Sequence, residues 1–246
     1  NILPLQLGYS SSGEVVQTGK GVSDFHTGDR VVSNGNHAEY VVVNQNLCTR
    51  IPDNTDIKEA SFTVLGSIAL HGLRLSETSL GSKVVVIGLG IIGQLVCRLA
   101  EAQGSEVIGI DPDTKRTDMS ANFYTSVEEA NMTNVDSVII TAATSSNEPI
   151  EVATKIARNK AKIVVVGDIP LNISRNDFYY KELELVVSKS YGPGRYDKQY
   201  EILGKDYPIE YVRWTENRNF EAFIKLLSQN QIHLLDLVTE EVSFEN

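Results

Sequence analysis

One stretch, Lys83-Val84-Val85-Val86-Ile87-Gly88, constrains this chain more than any other. An unbroken apolar run that ends in glycine suits a strand buried on both faces, as in a parallel sheet covered by helices. It leads directly into Gly88-Leu89-Gly90-Ile91-Ile92-Gly93, which has the G-x-G-x-x-G spacing, and residues 90–103 then carry helical period. Glycines at that spacing often arise by chance; a strand before them and a helix after them give the pattern meaning. Gly88 permits a tight turn, Gly90 lets the backbone approach a pyrophosphate, and Gly93 lets helix and strand pack closely. The free N–H groups of the first helical turn, at Ile91 and Ile92, and the positive end of the helix dipole then suit phosphate oxygens.

The same texture repeats downstream. Glu106 to Ile110 and Asp136 to Thr141 read as further strands, residues 148–159 as a helix, Ala161 to Gly167 and Leu183 to Ser188 as two more strands. Strand–helix alternation of this kind predicts a doubly wound parallel sheet of Rossmann type. Asp111 closes the second strand, where a carboxylate can accept both ribose hydroxyls of an adenosine and repel a 2′-phosphate; capping a following helix is the other role open to it. Lys115 and Arg116 stand near enough to neutralise a 2′-phosphate, though a solvated helix face accounts for them as well. Thr141-Ala142 and Gly167-Asp168 end later strands, and ligands of open α/β sheets lie beyond those carboxyl ends. These positions predict NAD as the cofactor. The crossover over Thr117 to Asn134 is short for a unit of this kind.

The flanks differ. Residues 1–60 look all-β, with short runs at Gly8 to Val16, Arg30 to Val32 and Glu39 to Val43 between turn clusters. A helix is expected from about Ile57 to Leu75, capped by Asn54 or Asp56. After Ser190, Tyr191-Gly192-Pro193-Gly194 is a turn, residues 197–216 are irregular, and Asn219 to Gln229 is an amphipathic helix. The boundaries expected are 1–75 for a β-rich unit, 76–190 for the nucleotide-binding domain and 191–246 for a return segment. A net charge of −10 argues against nucleic acid as a partner, and no apolar run has the length of a membrane span. Cys48 and Cys97 have no metal-type spacing and read as buried thiols, in keeping with a reducing cytoplasm.

Three stretches together resemble the medium-chain dehydrogenase/reductase family, the zinc alcohol dehydrogenase relatives. They are Gly8-Tyr9-Ser10-Ser11-Ser12-Gly13-Glu14-Val15-Val16 continuing through Gly28-Asp29-Arg30-Val31, then His37-Ala38-Glu39-Tyr40-Val41, then the glycine loop. The resemblance implies an α/β chain, a GroES-like β-rich domain with a Rossmann domain inserted in it. It also implies hydride transfer between nicotinamide and a small-molecule alcohol or carbonyl, in a homodimer or tetramer. Tyr191 to Asp197, with Tyr207-Pro208 and Tyr211 to Glu216, is similar to a narrower branch, the bi-domain oxidoreductases of bacterial surface-polysaccharide clusters. In those a Gfo/Idh/MocA-type domain follows, so by this resemblance the chain is a fragment.

The departures from the family concern the metal. Zinc members carry Gly-His-Glu where this chain has Gly8-Tyr9-Ser10, a second ligand falls at about Val64, and the four-cysteine lobe has no counterpart. His26, His37, His71 and His233 suggest no site by their spacing. The expectation is therefore no metal, with Tyr9, and more weakly Ser10, standing where a ligand would face the nicotinamide and polarise a carbonyl. Either could equally be an ordinary cleft-wall side chain. Arg195 matches a position from which family members reach the pyrophosphate, and Arg218 competes for that role. The function expected is a zinc-independent, NAD-dependent oxidoreductase of a sugar- or polyol-like substrate. A nucleotide-binding module without chemistry and a quinone or enone reductase are the alternatives.

Overall fold

The computed structural model describes residues 8–117, 120 and 122–243. They form two compact units: one from the described residues up to Ser67 together with those from Pro193 onward, the other Ile68–Gly192. The first division falls inside a helix, earlier than the 75/76 boundary expected from the sequence.

In the first unit, β1 (Ser11–Glu14), β2 (Arg30–Ser33) and β3 (Cys48–Arg50) make an antiparallel sheet in that order, with Ser11 opposite Ser33 and Ser33 opposite Cys48. The Gly-Asp-Arg-Val turn enters β2. Its Asp29 carboxylate accepts from the His26 N–H at 2.8 Å and from Arg50 Nε at 2.9 Å. Those two donors hold the carboxyl below its ordinary range. The strand expected at Glu39 to Val43 is absent. Tyr40 and Val42 are exposed there, and no described strand pairs with the segment; without a ladder, alternation alone does not make a strand. The helix expected over 57–75 is two, α1 (Ile57–Ala60) and α2 (Thr63–Leu75). Ser61 and Thr63 donate their hydroxyls to the carbonyls of Lys58 and Ala60, competing with the helical ladder at the break. Asp56 caps α1 through the N–H groups of Lys58 and Glu59, whereas Asn54 donates to the Ser228 carbonyl.

The second unit is a six-stranded parallel sheet. Its elements are β4 (Lys83–Ile87), α3 (Ile91–Ala102), β5 (Glu106–Ile110), α4 (Thr114–Thr117), β6 (Phe123–Tyr124), α5 (Val127–Ala130), β7 (Val135–Ile140), α6 (Glu148–Ile156), β8 (Ala157–Val165), α7 (Arg175–Lys181) and β9 (Glu184–Val187). The order across the sheet is β6-β5-β4-β7-β8-β9, the doubly wound Rossmann arrangement with its switch point beside β4. Val85 and Ile87 join Val138 and Ile140 of β7 and Ile150, Ala153 and Ile156 of α6 in one core. Val84 and Val86 point to the opposite face by the strand's period of two and are equally buried. That double burial is why β4 reads as a continuous apolar run.

The crossover expected to be short carries α4, β6 and α5; residues 118, 119 and 121 within it lie outside the described set. Strand β8 begins at Ala157, four residues before the apolar run, because Ala157 pairs with Val135 across an irregularity in the register. Helix α6 therefore stops at Ile156, not near 159. Its last carbonyls are met by a side chain from far ahead: Lys181 Nζ donates to Thr154, Lys155 and Ala157 oxygens at 2.7, 2.9 and 2.8 Å.

The return segment belongs to the first unit. It holds α8 (Lys198–Glu201) and α9 (Glu216–Ser228). Its apparent irregularity hides specific ties: the Tyr200 hydroxyl donates to Thr215 at 3.0 Å, and the Tyr200 and Tyr207 rings stack at 5.5 Å. Phe223 of α9 packs over Gly66, where any Cβ would sit 2.2 Å from the ring.

Candidate functional site

The glycine loop joins β4 to α3. Gly88 has φ +97°, open to glycine at little cost, and its missing Cβ makes room for the Ala142 backbone 2.6 Å from where it would sit. Gly93 is tighter still: a Cβ there would stand 1.9 Å from the Gly88 carbonyl oxygen. A Cβ on Gly90, by contrast, would meet nothing within 4 Å. Gly90 is the N-cap of α3 and no side chain caps that helix. The N–H groups of Ile91, Ile92 and Gly93 thus open α3 beside the one glycine of the loop with free space above it. That is a cradle an anionic group can fill.

Asp111 follows β5, and its carboxylate is only 5% exposed. One oxygen accepts from the Leu89 N–H at 2.7 Å, and the other from the Asp113 N–H at 2.9 Å. Arg116 reaches the first oxygen at 3.1 Å and Asp113 at 3.5 Å. Arg116 is therefore no merely solvated side chain, although half of it remains exposed. Sequence reasoning missed this pair because a spacing of five residues through the turn from β5 into α4 carries no periodic signal.

Thr141 and Ala142 follow β7, and Gly167 and Asp168 follow β8. The Ala142 N–H extends the ladder to Ile87 at 3.1 Å, and the Gly167 N–H to Ile140 at 3.0 Å. A Cβ on Gly167 would lie 2.0 Å from the Ala142 carbonyl oxygen, so these two strand ends press together beside the switch point. The Asp168 carbonyl accepts from Thr144 N–H at 3.0 Å, leaving its exposed carboxylate to solvent. The Thr141 hydroxyl points inward and donates to the Gly88 carbonyl at 2.5 Å.

The remaining sequence candidates lie in the first unit, apart from His71 and Cys97. Tyr9 is 45% exposed. Ser10 Oγ donates to the Ser61 carbonyl at 2.5 Å. His37 lies against this segment, its Nε2 3.2 Å from the Ser10 carbonyl oxygen. Arg195 is in an ion pair with Glu201 at 2.6 Å and stacks on Tyr196. Arg218 donates to the Val212 and Tyr207 carbonyls and pairs with Asp206. His71, on α2, is held neutral: burial, with Arg74 nearby, pushes it down to about 4. Cys48 and Cys97 are buried, and burial raises both thiols, Cys48 to about 12.

The side chains at positions 9, 10 and 64 do not have the chemistry of zinc ligands. Tyr9 offers an exposed phenol, Ser10 a committed hydroxyl, and Val64 a fully buried hydrocarbon; zinc needs Cys, His or carboxylate donors that converge. Among the described residues no three His, Cys, Asp or Glu side chains gather as a metal site would require. No described helix is long and apolar enough to cross a membrane.

Residues 1–53 match the alcohol dehydrogenase GroES-like domain, and residues 66–177 match the NAD binding domain of D-isomer specific 2-hydroxyacid dehydrogenases. The chain is 24% identical to 2-dehydro-3-deoxy-L-galactonate 5-dehydrogenase of Pseudoalteromonas atlantica, over 82% of this chain and 72% of that protein. Galactitol-1-phosphate dehydrogenase from Escherichia coli shares the fold, with a TM-score of 0.76 at 21% identity over 96% of this chain and 77% of that one. So does a structure from Sinorhizobium meliloti described as a zinc-binding dehydrogenase and bound to NADP, with a TM-score of 0.76 at 20% identity over 97% and 77% of the two chains. A GroES-like domain joined to a parallel-sheet NAD-binding domain is the pairing that this chain shares, in fold, with these alcohol- and polyol-type dehydrogenases.

Proposed function

We propose that this chain binds NAD(H) in preference to NADP(H), and that the enzyme it belongs to transfers a hydride to or from a sugar- or polyol-like substrate without zinc. The observation that carries the cofactor preference is Asp111, a carboxylate at the tip of β5 within hydrogen-bond reach of the glycine loop. Ribose hydroxyls can add to its remaining lone pairs, whereas a 2′-phosphate would bring a second negative charge against it. Arg116 offsets part of that repulsion, so the preference is expected to be moderate. When bound, the nicotinamide supplies the hydride-carrying carbon. The chain's own groups hold the rest of the dinucleotide: the N–H groups of Ile91, Ile92 and Gly93 on the diphosphate, and the Ala142, Gly167 and Asp168 strand ends along its inner half. Arg195 is the proposed cationic partner of the diphosphate, a role that requires it to share its guanidinium with Glu201.

The sugar-like substrate is supported by the curated relative acting on 2-dehydro-3-deoxy-L-galactonate. Zinc independence is supported by the unfit donors at positions 9, 10 and 64. Tyr9 is then the proposed donor to the substrate oxygen, because its phenol is exposed where Ser10 is already committed. Fluorescence titration with NADH and NADPH tests the cofactor, and oxidation of a polyol panel by chelator-treated protein tests the chemistry. Tighter NADPH binding would overturn the first, and activity lost to chelation the second.

A further inference from the structure

Two side chains meet at a single peptide group in the phosphate loop. The carbonyl of the Gly88–Leu89 peptide accepts from Thr141 Oγ1 at 2.5 Å, and the N–H of the same peptide donates to Asp111 Oδ2 at 2.7 Å. The Leu89 side chain is itself buried, 2.7 Å from where a Cβ on Gly109 would sit. We infer that Thr141 is not a cofactor contact but a positioning residue: with Asp111 it clamps the Gly88–Leu89 peptide at both ends and so fixes the loop that opens α3 for a diphosphate.

A glycine with φ +97° leaves the following peptide plane free to rotate. Turned over, that peptide would point its carbonyl oxygen at the Asp111 carboxylate and its N–H at Thr141, which repulsion at the first contact disfavours. In the observed orientation both ends are satisfied. The Gly88 oxygen is also the atom that a Cβ on Gly93 would strike, so the clamped carbonyl sets how closely α3 approaches the strand. Thr141 therefore sets the geometry of the loop from beneath, and Asp111 ties that geometry to the adenosine end.

This inference rests on the nucleotide-binding proposal above, and its test separates the two. Hydrogen exchange of the Leu89 amide, followed by NMR on the whole chain without nucleotide, is compared for wild type, Thr141→Val and Thr141→Ser. Loss of one hydrogen bond predicts Leu89 exchange faster by about fivefold to tenfold in Thr141→Val, with Val85 and Val86 unchanged and near wild-type values in Thr141→Ser. An unchanged Leu89 amide, or acceleration equal across β4, overturns the clamp. If Thr141→Val does not fold, Thr141→Ala is read against Thr141→Ser in the same way. NADH and ADP titrations are the second arm, and both ligands should bind several-fold more weakly to Thr141→Val with adenosine unaffected. Equal loss for adenosine, or no loss for ADP while Leu89 exchange rises, overturns the positioning role. A wild-type protein that binds neither NADH nor NADPH refutes the function alone, because the exchange arm still decides the clamp.

Discussion

Gly90 and Gly93 lie three residues apart in one loop, and replacing each with alanine should have opposite signatures. At Gly93 the new Cβ would stand 1.9 Å from the Gly88 carbonyl oxygen and 2.8 Å from Thr141 Oγ1, well inside the 3.0 Å limit of real Cβ contacts. The carbonyl cannot swing aside cheaply, since Thr141 holds it, so helix and loop must part. Overpacking of this kind costs about 1–3 kcal/mol, and alanine's better helix propensity recovers at most ~1 kcal/mol. A contact as short as 1.9 Å belongs at the upper end of that range, so a net loss of roughly 2 kcal/mol remains, a fall in Tm of several degrees for a chain of this size at about 2–4 °C per kcal/mol. At Gly90 the Cβ meets nothing, φ is an ordinary −64°, and only an N-cap preference worth about half a kcal/mol is lost. The methyl would instead occupy the space above the α3 N–H groups, and NADH affinity should fall by about tenfold or more, about 1.4 kcal/mol. Thermal unfolding and NADH fluorescence titration on both variants are the assays. A Gly93→Ala protein that melts like wild type, or a Gly90→Ala protein that binds NADH like wild type, would refute the packing and cradle arguments respectively.

Replacing Arg116 with alanine should raise the ratio of NADH to NADPH affinity, because the charge that offsets Asp111 is removed; competitive titration measures it, and an unchanged ratio clears Arg116 of any part in the choice. Tyr9→Phe is expected to slow turnover by roughly 10²–10⁴ if the phenol serves the substrate oxygen, and a full-rate variant assigns that task elsewhere. Arg195→Ala should weaken NADH binding by about 1.5–3 kcal/mol, the scale of a hydrogen bond to a charged group, with ADP titration as the check. His71, lowered to about 4 by burial, binds its proton more readily in the unfolded chain, so its contribution to stability is present above pH 6.5 and is lost as pH falls towards 4. Urea unfolding across that window should show a slope that His71→Gln flattens.

The nucleotide-binding unit was legible because its signals are local. β5 lies at Glu106–Ile110, as its apolar run indicates, and β4, the glycine loop and α3 follow one another without interruption. Tertiary pairing decided what the sequence did not. Phe123–Tyr124 is too short to show any period and exists as a strand because Gly109 and Ile110 pair with it. The converse holds at residues 39–43, where Tyr40 to Val43 have the composition of a strand and no described neighbour to pair with. Site chemistry divided in the same way. Glycine positions follow from backbone space, which sequence encodes directly. The Asp111–Arg116 pair, the inward hydroxyl of Thr141 and the bond from Ser10 to Ser61 depend on rotamers that only packing sets.

The ammonium of Lys181 completes α6 from 24 to 27 residues further along the chain. Between them lie the last turn of the helix, the whole of β8 and the run through α7. An emerging chain therefore leaves the end of α6 with bare carbonyls until the next crossover has returned and docked, and water must serve them meanwhile. The second half of the sheet should consequently gain its final stability in one step, with α6 fraying in any truncation that stops before residue 181. The lysine acts as a late closure on a helix whose own sequence provides no stop.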